Sequence, residues 1–178
     1  MSEENPGYGE LPVLTATDEF LCVRCARHRK TCCQVSEIFV TLDDVRRIEQ
    51  HSGRSDFHEF RRPLNPDYAD QDDDSTWRDH VFRPDGTRRV LRRESNGDCT
   101  FLGQNGCRLP LEVRPLVCRL YPFDYTESGL LDELSPGCPL ELLADGQDLV
   151  DALQMNAVDA EVWRSQLYAE IHREHAES

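Results

Sequence analysis

Four thiols fall within twelve residues, as Cys22-Val23-Arg24-Cys25 and the adjacent pair Cys32-Cys33, and four more follow at Cys99, Cys107, Cys118 and Cys138. Cysteines at this density form either a disulfide framework or a metal site. A C-x-x-C knuckle turns two thiolates toward one ion or cluster, with zinc–sulfur bonds of about 2.3 Å. The vicinal pair adds a constraint. In extended backbone successive side chains point to opposite faces, so Cys32 and Cys33 are expected to face different centres. Eight thiols with one such divider fit two four-thiolate sites, one larger multinuclear site, or one four-cysteine site with exchangeable thiols beside it. Zinc and iron–sulfur clusters both accept four thiolates, so the metal stays open between them. The spacing matches neither the ferredoxin runs nor a two-Cys-two-His finger, and the six histidines are scattered. His28, inside the first knuckle, is a fallback ligand that reads better as a surface residue.

The elements that must hold these thiols are short of apolar material. Hydrophobic residues make up 38 % of the chain and charged residues 30 %. So thin a core favours an additional source of stability, and a structural zinc contributes about 10–16 kcal/mol of coupled folding energy. The net charge is −14, with Lys30 the only lysine. A domain this acidic is repelled by phosphate backbones, which speaks against nucleic acid as a partner. The first seven residues, Met1 to Gly7, lack the basic and apolar regions of a signal peptide, and no apolar run approaches a membrane span. The expectation is a cytoplasmic protein without a membrane partner, where thiols stay reduced and ligation is favoured over disulfides.

Residues 1–17 read as a flexible lead-in, 18–144 as the metal-binding domain and 145–178 as a C-terminal amphipathic helix packed on it. The basic stretch from Ala26 to Thr31 is expected to offset thiolate charge. Ser36–Val40 has strand character. Thr41 then caps a helix with Asp43 and Asp44 in its first turn, an apolar face of Leu42, Val45 and Ile48, and a stop at Gly53. Phe57 and Phe60 are expected on a further helical turn. Asp72-Asp73-Asp74 reads as a solvated loop.

Trp77–Arg83 and Thr87–Arg93 are expected to pair as strands about Pro84-Asp85-Gly86, leaving the arginines at 88, 89, 92 and 93 in solvent or open to an anion. Asn105-Gly106 signals a tight turn. Regular pairing about it would offset Cys99 from Cys107 by about 10 Å at roughly 3.3 Å per residue. Pro115 starts a short helix carrying Cys118, Pro122 ends it, and Ser135-Pro-Gly-Cys138-Pro presents a thiol from a bend. Beyond Gly146, Leu149, Leu153, Trp163, Leu167 and Ile171 mark one helical stripe to about residue 172, suited to packing on the domain or to a protein partner.

Taken in order, Cys22-x-x-Cys25, Cys32-Cys33, Cys99-x-Phe-Leu, Cys107, Arg114-Pro115-x-x-Cys118-Arg119-x-Tyr-Pro-Phe123 and Gly-Cys138-Pro resemble the YkgJ-type cysteine-cluster proteins. These are described as candidate zinc- or iron-chelating domains, often labelled iron–sulfur-cluster-containing. The resemblance runs from Cys22 to Cys138 and implies metal chelation by all eight cysteines. The spacer between Cys25 and Cys32 is longer than the three residues of the commonest form of the motif. A similar module occurs in flagellin lysine methylases, which are much longer chains.

Two functions follow. One is a metal-binding module with a structural, sensory or metal-handling role, holding zinc or an iron–sulfur cluster of the 4Fe-4S type. The other is an iron–sulfur enzyme for redox or methyl-transfer chemistry, with Arg114, Arg119 and Tyr121 binding an anionic cosubstrate. No Gly-rich phosphate cradle, nucleophile elbow or carboxylate pair names a catalytic residue. The expected fold is a small α+β domain of short strands and helices, stapled by metal, with a long C-terminal helix.

Overall fold

In the computed structural model, residues 21–28, 30–69 and 72–178 are described. The expected lead-in over residues 1–17 lies outside them. The fold is α+β, with short antiparallel pairs, small helices and one long C-terminal helix.

Three small cores, rather than one large one, organise the chain. The extended segment Ile38–Val40 separates the first two. Alternation along it sends Ile38 and Val40 into a core with Val45, Ile48, Phe57 and Phe101, while Phe39 enters a second with Trp77, Leu116, Leu120, Leu167 and Ile171. The segment lies along strand β2 (Arg88–Leu91), with Val40 N–H bonding Arg89 O at 3.1 Å and Leu91 N–H bonding Ile38 O at 2.9 Å. Strand β1 (His58–Arg61) pairs antiparallel with β2, His58 opposite Leu91. Phe60 therefore sits on a strand, not a helical turn, and only Phe57 is fully buried.

Helix α1 (Leu21–His28) and the one-turn α2 (Cys32–Val35) precede this unit, and α3 (Leu42–Ser52) follows its extended segment. The expected cap is present. Thr41 Oγ1 accepts the Asp44 N–H at 2.9 Å, Asp44 returns the bond to Thr41 N–H at 3.1 Å, and Gly53 closes the helix with a left-handed φ of 68°.

The expected hairpin of residues 77–93 is half formed. Its turn exists, with Gly86 N–H bonded to Arg83 O at 2.8 Å, but Trp77–Val81 is a π-helical turn capped by Asp74. Asp74 is thereby buried, and it also accepts the hydroxyl of Tyr168, unlike the exposed Asp72 and Asp73. With residues 77–81 helical, β2 pairs with β1 instead. This inverts the solvent reading of its arginines. Arg88 is buried against the Tyr68 ring, Arg89 pairs with Glu174 at 2.6 Å, and Arg93 is committed to carbonyls; only Arg92 faces solvent. Arg92 has a partner of its own in Glu59 at 3.9 Å.

Downstream lie β3 (Leu102–Gly103) and β4 (Gly106–Cys107), α4 (Leu116–Leu120), and the hairpin of β5 (Phe123–Thr126) with β6 (Gly129–Leu134). The single C-terminal helix expected from the stripe is broken. Helix α5 (Leu149–Ala152) ends, Gln154 adopts φ 53°, and α6 (Ala157–Ala176) starts from an Asn156 cap. The reason is that Leu153 belongs to a third core with Leu21 and Ala152, whereas Leu167 and Ile171 belong to the second.

A buried polar network locks α6 to α3 and α4. Glu170 accepts from Thr41 Oγ1 at 2.5 Å and Arg47 at 2.6 Å, and Asp44 accepts from Arg47 at 2.5 Å and from the Leu116 N–H of α4 at 3.1 Å. Arg47 thus bridges both carboxylates, with only its Nε left without a partner.

Candidate metal centre

All eight cysteines line one cavity of about 390 Å³. They arrive from six segments, so the clustering is a property of the fold. Helix α1 carries Cys22 and Cys25, α2 carries Cys32 and Cys33, and β4 carries Cys107. Helix α4 presents Leu116 and Leu120 to the second core, while Cys118 packs toward the first.

Cys99 reaches the cavity because the chain turns before β3. Leu102 N–H bonds Cys99 O at 2.8 Å, and the register sets Leu102 opposite Cys107. The tight turn is thus centred on Gln104 and Asn105, followed by Gly106 at φ 93°. The 10 Å offset expected from regular pairing does not apply, because Thr100 and Phe101 form a turn rather than continuing the strand. Cys138 sits on a bend whose Gly137 has φ 132° and where a Cβ would stand 2.7 Å from the Tyr121 hydroxyl, so glycine is required there.

Helix α2 is tied down from three sides. Arg93 donates to the carbonyls of Gln34 at 2.9 Å and Gly97 at 2.7 Å and to Ser36 O, the Cys99 N–H bonds Cys33 O at 2.9 Å, and Gln34 bonds Asp98 at 2.9 Å. Arg93→Ala is expected to destabilise the chain by about 2 kcal/mol, because three half-buried carbonyls lose a charged donor. It should also loosen Cys32 and Cys33. A denaturant midpoint unchanged from wild type would show that the α2 anchor lies elsewhere.

None of the eight cysteines is in a disulfide. Burial pushes the Cys22 thiol up to about 12 and the Cys99 thiol up to about 11, and raises Cys107 and Cys118 as well. Cys33 is the exception, lowered to about 7 because the adjacent Cys32 thiol hydrogen-bonds to it; Cys32 is raised by the same bond. Eight thiolates crowded together repel one another, so without a cation the cavity favours thiols. A bound metal reverses that preference.

Arg114 lines the cavity, where its charge opposes the rise at Cys22 and Cys107 and adds to the fall at Cys33. It is a nearby cation the 26–31 stretch was expected to supply; Arg27, His28 and Lys30 are exposed. Tyr121 also lines the cavity, its hydroxyl bonding Pro136 O at 3.2 Å beside Cys138. Arg119 is not in the cavity wall. Its buried guanidinium holds Arg114 O at 2.8 Å and Glu112 O at 2.7 Å, which supports the segment bearing Arg114. Carbonyl-binding arginines such as Arg93 and Arg119 carry no sequence signal separating them from surface charges.

Among the described residues, no three Cys, His, Asp or Glu side chains stand close enough to hold one ion as they are. Coordination therefore requires the thiols to close across the cavity. The donor set itself, all sulfur and in a partly apolar wall, suits zinc or iron.

The fold and cavity define a small α+β domain built around clustered thiols. The family model named CxxCxxCC, described as "putative zinc- or iron-chelating domain", matches residues 21–139. The chain belongs to this family. Neither a curated protein nor a solved structure matches it. Among the described residues no helix is long and apolar enough to cross a membrane.

Proposed function

We propose that the protein is a metal-binding module that chelates zinc or an iron–sulfur cluster through Cys22, Cys25, Cys32, Cys33, Cys99, Cys107, Cys118 and Cys138. The observation that carries this reading is that six separate segments deliver all eight thiols to one cavity. Chance does not gather every cysteine of an α+β chain, and buried thiols of this number are unfavourable as thiolates unless a cation joins them. The role is structural, sensory or metal-handling, in a reducing compartment such as the cytoplasm. A net charge of −14 sets it apart from nucleic-acid readers.

An enzymatic reading keeps one supporting observation. Arg114 and Tyr121 face the same cavity, whose volume of about 390 Å³ falls in the range of roughly 300–1,000 Å³ common to small-molecule sites. Arg119, committed to carbonyls, leaves that reading with one cation.

The test is metal and acid-labile sulfide content of protein purified without oxygen. Zinc, or iron with matching sulfide, is expected. Protein that folds natively with neither metal bound overturns the proposal.

A further inference from the structure

We infer that the eight thiols form two four-thiolate centres that part between Cys32 and Cys33, an inner one of Cys33, Cys99, Cys107 and Cys118 and an outer one of Cys22, Cys25, Cys32 and Cys138, with the outer centre the exchangeable one. This deepens the metal-binding reading above and rests on it.

Packing makes the division. Cys99 is a buried member of the first core, and Cys33, Cys107 and Cys118 pack against that same core. Cys22 and Cys138 pack instead against the third core of Leu21, Ala152 and Leu153. Cys25 joins Cys22 because residues three apart on α1 share a face. Cys32 parts from Cys33 because adjacent residues on a helix do not face the same way, here on α2. Tyr121 lies beside both Cys32 and Cys138, which places those two together. Cys32 bonds Cys33 where the two sets meet.

The two centres rest on unequal supports. The inner one is backed by a nine-residue core, and its segments are tied by Asp44 to Leu116, by Arg93 to α2 and by Cys99 to Cys33. The outer one is backed by three buried residues, with α1 held through Arg24 to Leu142 O and, at 3.1 Å, to Gln147. Segments with little buried apolar contact open first, so metal leaves and enters the outer centre first.

The experiment is a chelator chase on the anaerobically purified full chain, with metal counted per chain, for wild type, Cys25→Ser and Cys138→Ser. Wild type is expected to lose its metal in two phases of equal amplitude. Each variant should retain its helical circular dichroism, hold half the wild-type metal and lack the fast phase. A single phase in wild type, or a folded variant that loses all its metal or none of it, overturns the division. The wild-type chase stands as the test if a variant does not fold. Wild-type protein that is folded but metal-free would instead sink the metal-binding reading itself, so the two failures are distinguishable.

Discussion

Cys118→Ser is expected to abolish cooperative folding. A four-thiolate site contributes about 10–16 kcal/mol of coupled folding energy, and a domain of this size is stable by only about 5–15 kcal/mol. Cys118 is the one thiol on α4, whose other faces, Leu116 and Leu120, lie fully buried in the second core. Serine keeps the shape but offers a hydroxyl that does not ionise, leaving three thiolates around an undercoordinated metal. The measurement is a thermal melt by circular dichroism alongside metal content. A variant that melts like wild type after losing metal would remove the structural role from this centre.

Asp44→Ala is the second large effect, at about 3–5 kcal/mol. Asp44 is fully buried and has three partners. It closes the α3 capping box, pairs with Arg47 at 2.5 Å and accepts the Leu116 N–H at 3.1 Å, which sets the start of the helix bearing Cys118. Its removal leaves Arg47 sharing only Glu170 and orphans a buried backbone donor. The denaturant midpoint should fall, and metal affinity should fall with it, because α4 is no longer registered against the cavity. A shift no larger than the roughly 1 kcal/mol of an ordinary helix cap would mean that the link from α3 to α4 carries little.

What could be read without coordinates was whatever depends on neighbours in sequence. The cap at Thr41, the first-turn carboxylates and the stop at Gly53 are local chemistry, and all are present. The turns near Pro84-Asp85-Gly86 and Asn105-Gly106 are local too, although the second is centred one residue earlier than its signal. The thiol inventory and the family resemblance came from spacing alone.

The failures concern partners far along the chain. Strand β2 has an adjacent segment that reads as its mate, yet it pairs with β1 some thirty residues upstream, because Asp74 captures Trp77–Val81 into a helical turn. The arginines of β2 were misread for the same reason. Nothing near Arg88 or Arg93 in sequence marks the ring of Tyr68 or the carbonyls of α2 that receive them. The apolar stripe beyond Gly146 was periodic, but it served two cores and so had to break at Gln154. Arg114, legible four residues before Cys118, is by contrast a cation that does line the cavity.

The central claim is that these eight sulfurs ligate metal, and X-ray absorption at the zinc or iron edge of the as-purified protein tests it most directly. The account predicts a first shell of sulfur alone, at about 2.3 Å if the metal is zinc. A first shell filled by nitrogen or oxygen, or native protein with no metal edge, would contradict it.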